Sequence, residues 1–212
     1  MERDKAKRKR KKGSTLILTG LLLMAAALVL TGYNVWDGLR AGQAAGETAA
    51  QLEELLPEPA RSEAALPGET EIPDYQLNPK MEMPAVTVDG EDYIGLLSIP
   101  ALELELPVLG EWSYDGLKTA PCRYAGSAYS GGLIIAGHNY AAHFGALSQL
   151  REGDVIRFTD MDGNAFAYET AALEVLSGSD VDGMESGGWD LTLFTCTADG
   201  RNRVTVRAVR SE

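Results

Sequence analysis

Residues Leu191–Arg207 read LTLFTCTADGRNRVTVR, two apolar and partly alternating stretches joined by a short polar turn. This pattern predicts a β-hairpin, because Asp-Gly is among the strongest signals for a two-residue hairpin loop. With Asp199 and Gly200 as that loop, the register pairs Cys196 with Arg203. Side chains paired in this way have Cβ atoms about 4.5–5.5 Å apart. The hairpin therefore predicts a thiol beside a guanidinium.

Similar short strand patterns fill the chain from about Asp92 onward. Asp162-Gly163 marks a second hairpin, and Ala141–Leu150 is the one helical candidate, with apolar residues at a spacing of three. Seven or eight short strands separated by turns indicate an all-β fold, either a β-sandwich or a closed barrel. The expected strands are Tyr93–Ile99, Leu102–Val108, Leu133–Ala136, Val155–Thr159, Ala165–Glu169, Ala171–Leu176, Leu191–Thr195 and Val204–Val209.

Charge is distributed unevenly along the 212 residues, whose formal net charge is −12. Residues 1–12 carry eight basic and two acidic side chains, and the remaining 200 residues carry 11 basic and 29 acidic ones. The acidic body lacks the positive surface that nucleic acids require, so no nucleic-acid partner is expected. Two cysteines are too few for a disulfide-stapled scaffold or a four-ligand zinc site.

The basic segment 1–12 is followed by residues 13–36, which contain no charged side chain. Roughly 20 apolar residues suffice to cross a bilayer as a helix, and Tyr33 and Trp36 suit the interface at the far end. Because basic residues stay on the cytoplasmic side, we expect a cytoplasmic tail at 1–12, one membrane-spanning helix at 13–36 and the rest outside. A cleaved signal peptide is the alternative, with a cleavage site in the alanine-rich stretch 41–50.

Residues 37–90 are expected to form an extracellular stalk or linker ahead of a folded domain at 91–212. The first part is polar and alanine-rich, and six of the nine prolines follow at Pro57, Pro59, Pro67, Pro73, Pro79 and Pro84. Proline fixes φ and removes a hydrogen-bond donor, so this part is interpreted as an extended spacer. Tyr75 is its only aromatic residue, and a segment that regulates substrate access is the alternative.

Cys196, His138 and Arg203 together offer the parts of a nucleophilic site. A guanidinium at Arg203 presents fork-shaped donors to an oxyanion that develops beside the Cys196 thiol. His138 follows the apolar run Leu133–Ala136 at the end of a strand and can shuttle protons. Each residue alone is more commonly structural, since a free cysteine usually packs as a small apolar side chain.

Two motifs resemble those of the sortases. LTLFTC with Arg203 downstream is similar to the TLxTC-to-arginine signature of that family, and AGHNY is similar to its histidine motif. The chain order His, Cys, Arg also agrees, as does the opening IGLLSIPALELELPVL. The resemblance covers roughly residues 92–210 and implies a closed seven- to eight-stranded β-barrel with one or two short helices, in a class B-like or class D-like member.

The resemblance implies a membrane-anchored cysteine transpeptidase that cleaves LPxTG-like sorting signals and needs no cofactor. Cys196 would attack the Thr–Gly carbonyl to form a thioacyl-enzyme, and His138 would protonate the leaving amine and deprotonate the incoming one. Arg203 and the amide of Thr197 would support the oxyanion, and Thr195 the same tetrahedral intermediate. The implied partners are sorting-signal proteins and an amine acceptor, either a peptidoglycan precursor or a pilin lysine, in a Gram-positive type of envelope.

Several alternatives stay open at this point. The enzyme could join pilins rather than attach proteins to the wall, or the chain could be a non-catalytic, membrane-tethered β-domain that binds a wall polymer or protein. His143 is interpreted as structural and Cys122 as a free buried thiol. Arg201 and Arg207 are rivals of Arg203, but neither fits the hairpin register as well. The acids between Leu176 and Leu191 are interpreted as a solvated loop, with no metal expected.

Overall fold

A computed structural model describes residues 2–57 and 72–211, with side chains from residue 16 onward in the first range. The helices are α1 (Glu2–Leu55), α2 (Asp74–Leu77) and α3 (Val181–Glu185), with 3₁₀ turns at Pro100–Leu102, Gly116–Lys118 and Phe144–Gln149. The strands are β1 (Val86–Val88), β2 (Glu91–Ile99), β3 (Leu104–Leu109), β4 (Cys122–Ser127), β5 (Gly131–Ala136), β6 (Val155–Asp160), β7 (Ala165–Ser177), β8 (Leu191–Cys196) and β9 (Asn202–Arg210).

Strands β2 to β9 close into a barrel in the order β2-β3-β4-β5-β8-β9-β7-β6, and β6 pairs back onto β2. The short strand β1 adds to β2 outside this ring of eight. Most neighbours are antiparallel, but β3 with β4 and β5 with β8 are parallel. The expectation of a closed all-β barrel with few short helices is confirmed, and a sandwich is excluded.

The barrel interior is filled by large apolar side chains that are fully buried. Leu97, Ile135, Phe158, Leu193 and Val206 each have 0% exposure. Because successive side chains of a strand point to opposite faces, the alternate residues of β8 and β9 point outward. This alternation puts Cys196 on the outer face of the barrel wall.

The expected α-helix at Ala141–Leu150 is wrong in type and length. A 3₁₀ helix at Phe144–Gln149 takes its place, and Phe144, Leu147 and Leu150 are buried. A 3₁₀ helix has three residues per turn, so side chains at i and i+3 align. The three-residue spacing of the apolar side chains, which suggested an α-helix, is therefore the period of the 3₁₀ helix.

The chain forms two compact units, and the boundary between them falls within helix α1. The first unit ends at Arg40 and the second begins at Ala41. In the first unit, the described side chains from Leu16 to Val35 are exposed, and one segment of the helix is long and apolar enough to cross a membrane. In the second unit, α1 belongs to the folded domain. Within the expected linker at 37–90, the described residues from 41 onward thus belong to this second unit.

The last four turns of α1 pack lengthwise on the barrel. Ala41, Ala45, Ala49 and Leu52 are buried along one stripe, at the spacing that puts side chains on a single helix face. At about 1.5 Å per residue this part of the helix is roughly 20 Å long. Small side chains allow the helix to approach closely, which is why an alanine-rich segment that resembles a loose stalk docks on the barrel.

The proline-rich segment also contributes to the fold where the structure describes it. Tyr75, in α2, stacks on Tyr129 with ring centroids 4.9 Å apart and meets the Phe166 ring edge-on at 5.2 Å. Phe166 begins β7, whereas the far end of β7 pairs with β9 next to Cys196. Tyr75 thus lies at the end of the barrel that is remote from Cys196, and it does not cover the thiol. Residues 58–71, including Pro59 and Pro67, lie outside the described residues.

Candidate active site

The hairpin of β8 and β9 has the expected register. Cys196 pairs with Arg203 and Thr195 with Val204. The loop differs from the expected two residues, because the Thr197 N–H donates to the carbonyl of Asn202 at 2.9 Å and closes a four-residue loop. A two-residue loop and a four-residue loop with the same centre align the strands identically, so the Cys196–Arg203 pairing is confirmed.

Cys196 is an exposed free thiol at the end of β8, and Arg203 is half-buried beside it. Arg203 Nη1 donates to the carbonyls of Gly200 and Asn202 at 3.2 and 3.1 Å. Among the described residues these are the only hydrogen-bond partners of the guanidinium, so Nε and Nη2 are left for a ligand. The guanidinium is held by the loop and keeps two donor groups for an oxyanion.

His138 reaches the same place through the parallel pairing of β5 with β8. Leu133 pairs with Leu191 and Ala136 with Phe194, and the Gly137 N–H donates to the Phe194 carbonyl at 3.0 Å. Continuing this register by two residues puts His138 beside Cys196. The structure therefore brings all three predicted residues, Cys196, His138 and Arg203, to one end of the barrel.

The loop after His138 is folded tightly around aromatic rings. The imidazole of His138 stacks on Tyr140 with centroids 3.9 Å apart and planes at 10°. The Phe144 N–H donates to the carbonyl of His138 at 3.1 Å, and the Phe144 ring covers Gly137 so closely that an added Cβ would clash with it. These contacts restrict the orientation of the imidazole.

Two clefts meet at the thiol. The first, of about 260 Å³, is bordered by aromatic residues on one side and by α3 on the other, and Arg203 also lines it. The second, of about 310 Å³, is lined by the loop after His138 and the β8–β9 loop. Thr195 and Cys196 line both clefts. The thiol is thus accessible from two directions.

Three aromatic residues of the first cleft were not predicted from the sequence. Trp112, Tyr124 and Phe194 form a chain of edge-to-face contacts, with centroids 6.3 Å and then 5.5 Å apart. Trp112 and its neighbour Tyr114 remain 38% and 77% exposed. The stretch EWSY, with two aromatics in a polar loop, was the available sequence signal. Such a wall suits apolar side chains of a peptide.

The two threonines around Cys196 have different surroundings. The Thr195 side chain lies on the opposite face of β8 from the thiol, and its hydroxyl is buried with no hydrogen-bond partner among the described residues. The Thr197 N–H, expected to donate to the oxyanion, already donates to Asn202, and the Thr197 hydroxyl donates to Asp199 at 2.5 Å. Arg203 is therefore the better placed oxyanion donor.

The other cysteine and histidine are buried. Burial raises the pKa of the Cys122 thiol to about 11, and both cysteines are free, so Cys122 is protonated at neutral pH. Burial also lowers the pKa of His143 to about 4, with the Ala41 backbone of α1 acting in the opposite direction. His143 is thus a neutral side chain packed within the fold, whereas His138 is half-buried.

Arg207 connects the wall of the first cleft to the barrel. It is 2% exposed and donates to Glu174 at 2.6 Å, Thr192 at 3.0 Å, and the carbonyls of Gly183 and Met184 at 2.6 and 2.8 Å. The two carbonyls belong to α3, which borders the cleft. As expected, the strand register places Arg207 away from the thiol. Its burial, which the sequence pattern did not reveal, makes it a structural residue.

Arg207→Met is expected to lower the free energy of unfolding by about 3 kcal/mol, because it leaves the buried acceptors of α3 and β8 without donors. Urea unfolding of the full-length protein in detergent measures this loss. Arg201→Met is the matched control: Arg201 is exposed in the adjacent loop, and such changes stay within about 0.5 kcal/mol. Equal stability of the two variants would show that the Arg207 contacts are not needed.

Comparison with known proteins gives a consistent set of relatives. Residues 97–211 match the family model described as Sortase domain. The chain is 25% identical to Sortase A of Bacillus anthracis over 187 residues, which are 85% of this chain and 86% of that protein. It also resembles the structure of Sortase A from Corynebacterium diphtheriae, with 26% identity, a TM-score of 0.52 and coverage of 78% of this chain and 82% of that one.

A Clostridium perfringens Sortase D5 transpeptidase is similar in fold. Its TM-score is 0.58 at 22% identity, and the match covers 80% of this chain and 99% of that chain. This coverage extends well beyond the 115 residues of the family match.

Proposed function

The chain belongs to the sortase family of cysteine transpeptidases, and we propose that it cleaves an LPxTG-like sorting signal and transfers the acyl part to an amine through a thioester at Cys196. The observation that carries this proposal is that Cys196 lines both clefts and pairs with Arg203, while His138 stands between Gly137 and Asn139, which line one cleft each. The aromatic wall of the first cleft supports binding of the apolar part of the signal there.

The proposed reaction needs only these three side chains. The Cys196 thiolate attacks the carbonyl carbon of the Thr–Gly bond, and Arg203 donates hydrogen bonds to the resulting oxyanion. The C–N bond breaks as His138 gives its proton to the leaving amine. A second amine then attacks the thioester, His138 takes its proton, and Cys196 leaves as the thiolate.

Trapping the intermediate tests this assignment. The full-length protein in detergent is mixed with an LPxTG peptide and quenched in acid, and the mass of the intact chain is measured. We expect an increase equal to the peptide up to its threonine, located at Cys196 by proteolytic mapping. A peptide of scrambled sequence is the control. Release of product without a Cys196 adduct would contradict a thioester mechanism.

The proposed acceptor is either a peptidoglycan precursor or a pilin lysine, and the first is favoured. Tyr75, the aromatic residue of the linker, packs on Tyr129 and Phe166 at the remote end of the barrel, so this residue does not form a cover over the thiol. The proposed role is therefore the attachment of surface proteins to the cell wall.

Thiol labelling separates the enzyme from a non-catalytic binding domain. We expect a methanethiosulfonate reagent to modify Cys196 rapidly and to leave Cys122 protected, because only Cys196 is exposed and Cys122 stays protonated below its pKa of about 11. Mass spectrometry of tryptic peptides over time measures both rates. Equal, slow labelling of the two cysteines would favour the binding domain.

The proposed location is the cell membrane, with the N-terminus in the cytoplasm and the barrel outside. It rests on the eight cations of residues 1–12 and the uncharged residues 13–36. We expect proteinase added to intact wall-free cells to degrade the barrel and to spare an epitope tag fused ahead of Met1. Immunoblots against the tag and the barrel measure this. A protected barrel would reverse the proposed orientation.

A further inference from the structure

Helix α1 approaches the loop that begins at His138 very closely at one point. This loop, residues 138–145, is called the histidine loop below. A Cβ on Gly42 would lie 2.6 Å from the Cβ of Ala142 in the loop, which is closer than two side chains can stand. Ala41, the preceding residue of α1, is buried. A glycine at position 42 is therefore needed for the helix to lie this close to the histidine loop.

The histidine loop is closed by its own backbone hydrogen bonds. The N–H groups of His143 and Gly145 donate to the Tyr140 carbonyl at 3.0 and 2.9 Å, and the Phe144 N–H donates to the His138 carbonyl at 3.1 Å. A Cβ on Gly145 would lie 2.7 Å from the Tyr140 carbonyl oxygen, so the loop has no room to fold more tightly. Because such tightly packed structure transmits strain, a push at one point moves the rest of the loop.

A row of aromatic rings connects the helix contact to the imidazole of His138. Ala142 is followed by His143, which is fully buried, and the His143 ring meets the Tyr140 ring edge-on at 5.6 Å. The Tyr140 ring stacks on the imidazole of His138, with centroids 3.9 Å apart and planes at 10°. A displacement of Ala142 by α1 therefore reaches the imidazole through two ring contacts.

The His143 ring is uncharged and is influenced by the helix backbone. Burial lowers the pKa of His143 to about 4, and the backbone of Ala41 acts in the opposite direction. A neutral ring supports Tyr140 without opposing a proton on His138, whereas an imidazolium at the same place would repel that proton. Helix α1 therefore acts on two adjacent residues of the histidine loop, through Gly42 on Ala142 and through Ala41 on His143.

We propose that α1 sets the position of the His138 imidazole, and that Gly42 and His143 are positioning residues for it. This inference rests on the proposed function and adds a segment that contains none of its reacting groups. Among the described residues, none from α1 lines either cleft and none from the histidine loop lines the first. A misplaced imidazole is therefore expected to slow the reaction and to leave binding of the sorting signal in the first cleft unchanged.

Adding one methyl group tests the contact. Gly42→Ala in the full-length protein in detergent is expected to lower kcat for an LPxTG peptide by about tenfold, because a shift of about 1 Å in a reacting group has large effects on rate. KM should stay within about twofold. Adding Ala142→Gly removes the opposing methyl and should restore kcat. Gly46→Ala, one turn further along α1 with open space at its Cβ, is the control, because it gains the same helix propensity without a clash.

The leaving group distinguishes a misplaced imidazole from a misplaced thiol. In the proposed reaction His138 protonates the leaving amine of the peptide, whereas a p-nitrophenyl ester of the same acyl segment releases a phenolate that needs no proton when the Cys196 thiolate displaces it. Gly42→Ala should therefore be acylated slowly by the peptide and within about twofold of the unsubstituted rate by the ester. Mass spectrometry of the acyl-enzyme and stopped-flow absorbance of the phenolate measure the two rates. An equal loss with both substrates would overturn the inference.

His143 provides a second test that leaves the helix contact intact. His143→Ala removes the ring that supports Tyr140 and is expected to lower kcat by about tenfold with an unchanged KM. His143→Phe keeps an aromatic ring at this place and should retain kcat within about threefold of the unsubstituted protein. Circular dichroism at the assay temperature identifies the variants that are folded, and kcat is compared among these.

The outcomes separate this inference from the proposed function. A normal kcat in Gly42→Ala, or no rescue by Ala142→Gly, would overturn the role of α1 while the thioester mechanism stands. An equal kcat in His143→Ala and His143→Phe would reject His143 as a positioning residue. Absence of any acyl-enzyme in the unsubstituted protein would remove both the inference and the proposed function.

Discussion

Cys196→Ala abolishes turnover of a matching sorting-signal peptide, with at least a 10³-fold loss as the expected result. Removing the nucleophile of a covalent mechanism eliminates the pathway and leaves only the residual effect of binding and oxyanion stabilisation. The full-length protein in detergent is the suitable form, because residues 41–55 and 72–88 pack on the barrel. Product formation by chromatography measures the loss.

Cys122→Ala is the matched control for this experiment. Cys122 is a buried free thiol that lines neither cleft, so its loss costs some packing energy and removes no reacting group. We expect its activity to remain close to that of the unsubstituted protein at a temperature where both are folded. Turnover by Cys196→Ala within tenfold of the unsubstituted protein would reject Cys196 as the nucleophile.

Arg203→Lys is expected to reduce turnover by about 10²–10³-fold while the barrel stays folded, because loss of an oxyanion donor has effects of this size. Lysine keeps the positive charge but loses the planar fork that donates two parallel hydrogen bonds. The Arg203 guanidinium is oriented by its bonds to Gly200 and Asn202, and an ammonium on a flexible chain does not reproduce this arrangement. Steady-state kinetics and circular dichroism together measure the effect.

Arg201→Lys is the control for Arg203→Lys, since Arg201 is exposed in the same loop and pairs with no residue of β8. We expect it to remain near the unsubstituted rate. Arg207→Lys does not serve this purpose, because Arg207 is buried beneath α3. An inactive Arg201→Lys with an active Arg203→Lys would assign the oxyanion role to the loop arginine instead.

The sequence alone determined those features that depend on short-range geometry or on composition. The pairing of Cys196 with Arg203 was predictable because the two residues are close in the chain and the loop between them sets the register. The strand pattern and the uncharged segment 13–36 were likewise evident from periodicity and charge. The Thr197 amide shows the limit of such reasoning, because its engagement by Asn202 depends on the actual loop length.

Only the tertiary structure decided which distant segments meet. The parallel pairing of β5 with β8 brings His138 to Cys196 across more than fifty residues, and no local pattern specifies it. The packing of α1 against the loop through Gly42 and the burial of Arg207 under α3 also depend on contacts between segments that are distant in the chain. Arginine is mostly exposed in folded proteins, so nothing local marked Arg207 for burial, and the small side chains of α1 give only a weak apolar pattern. Their burial here follows from surfaces that exist only once the barrel has closed.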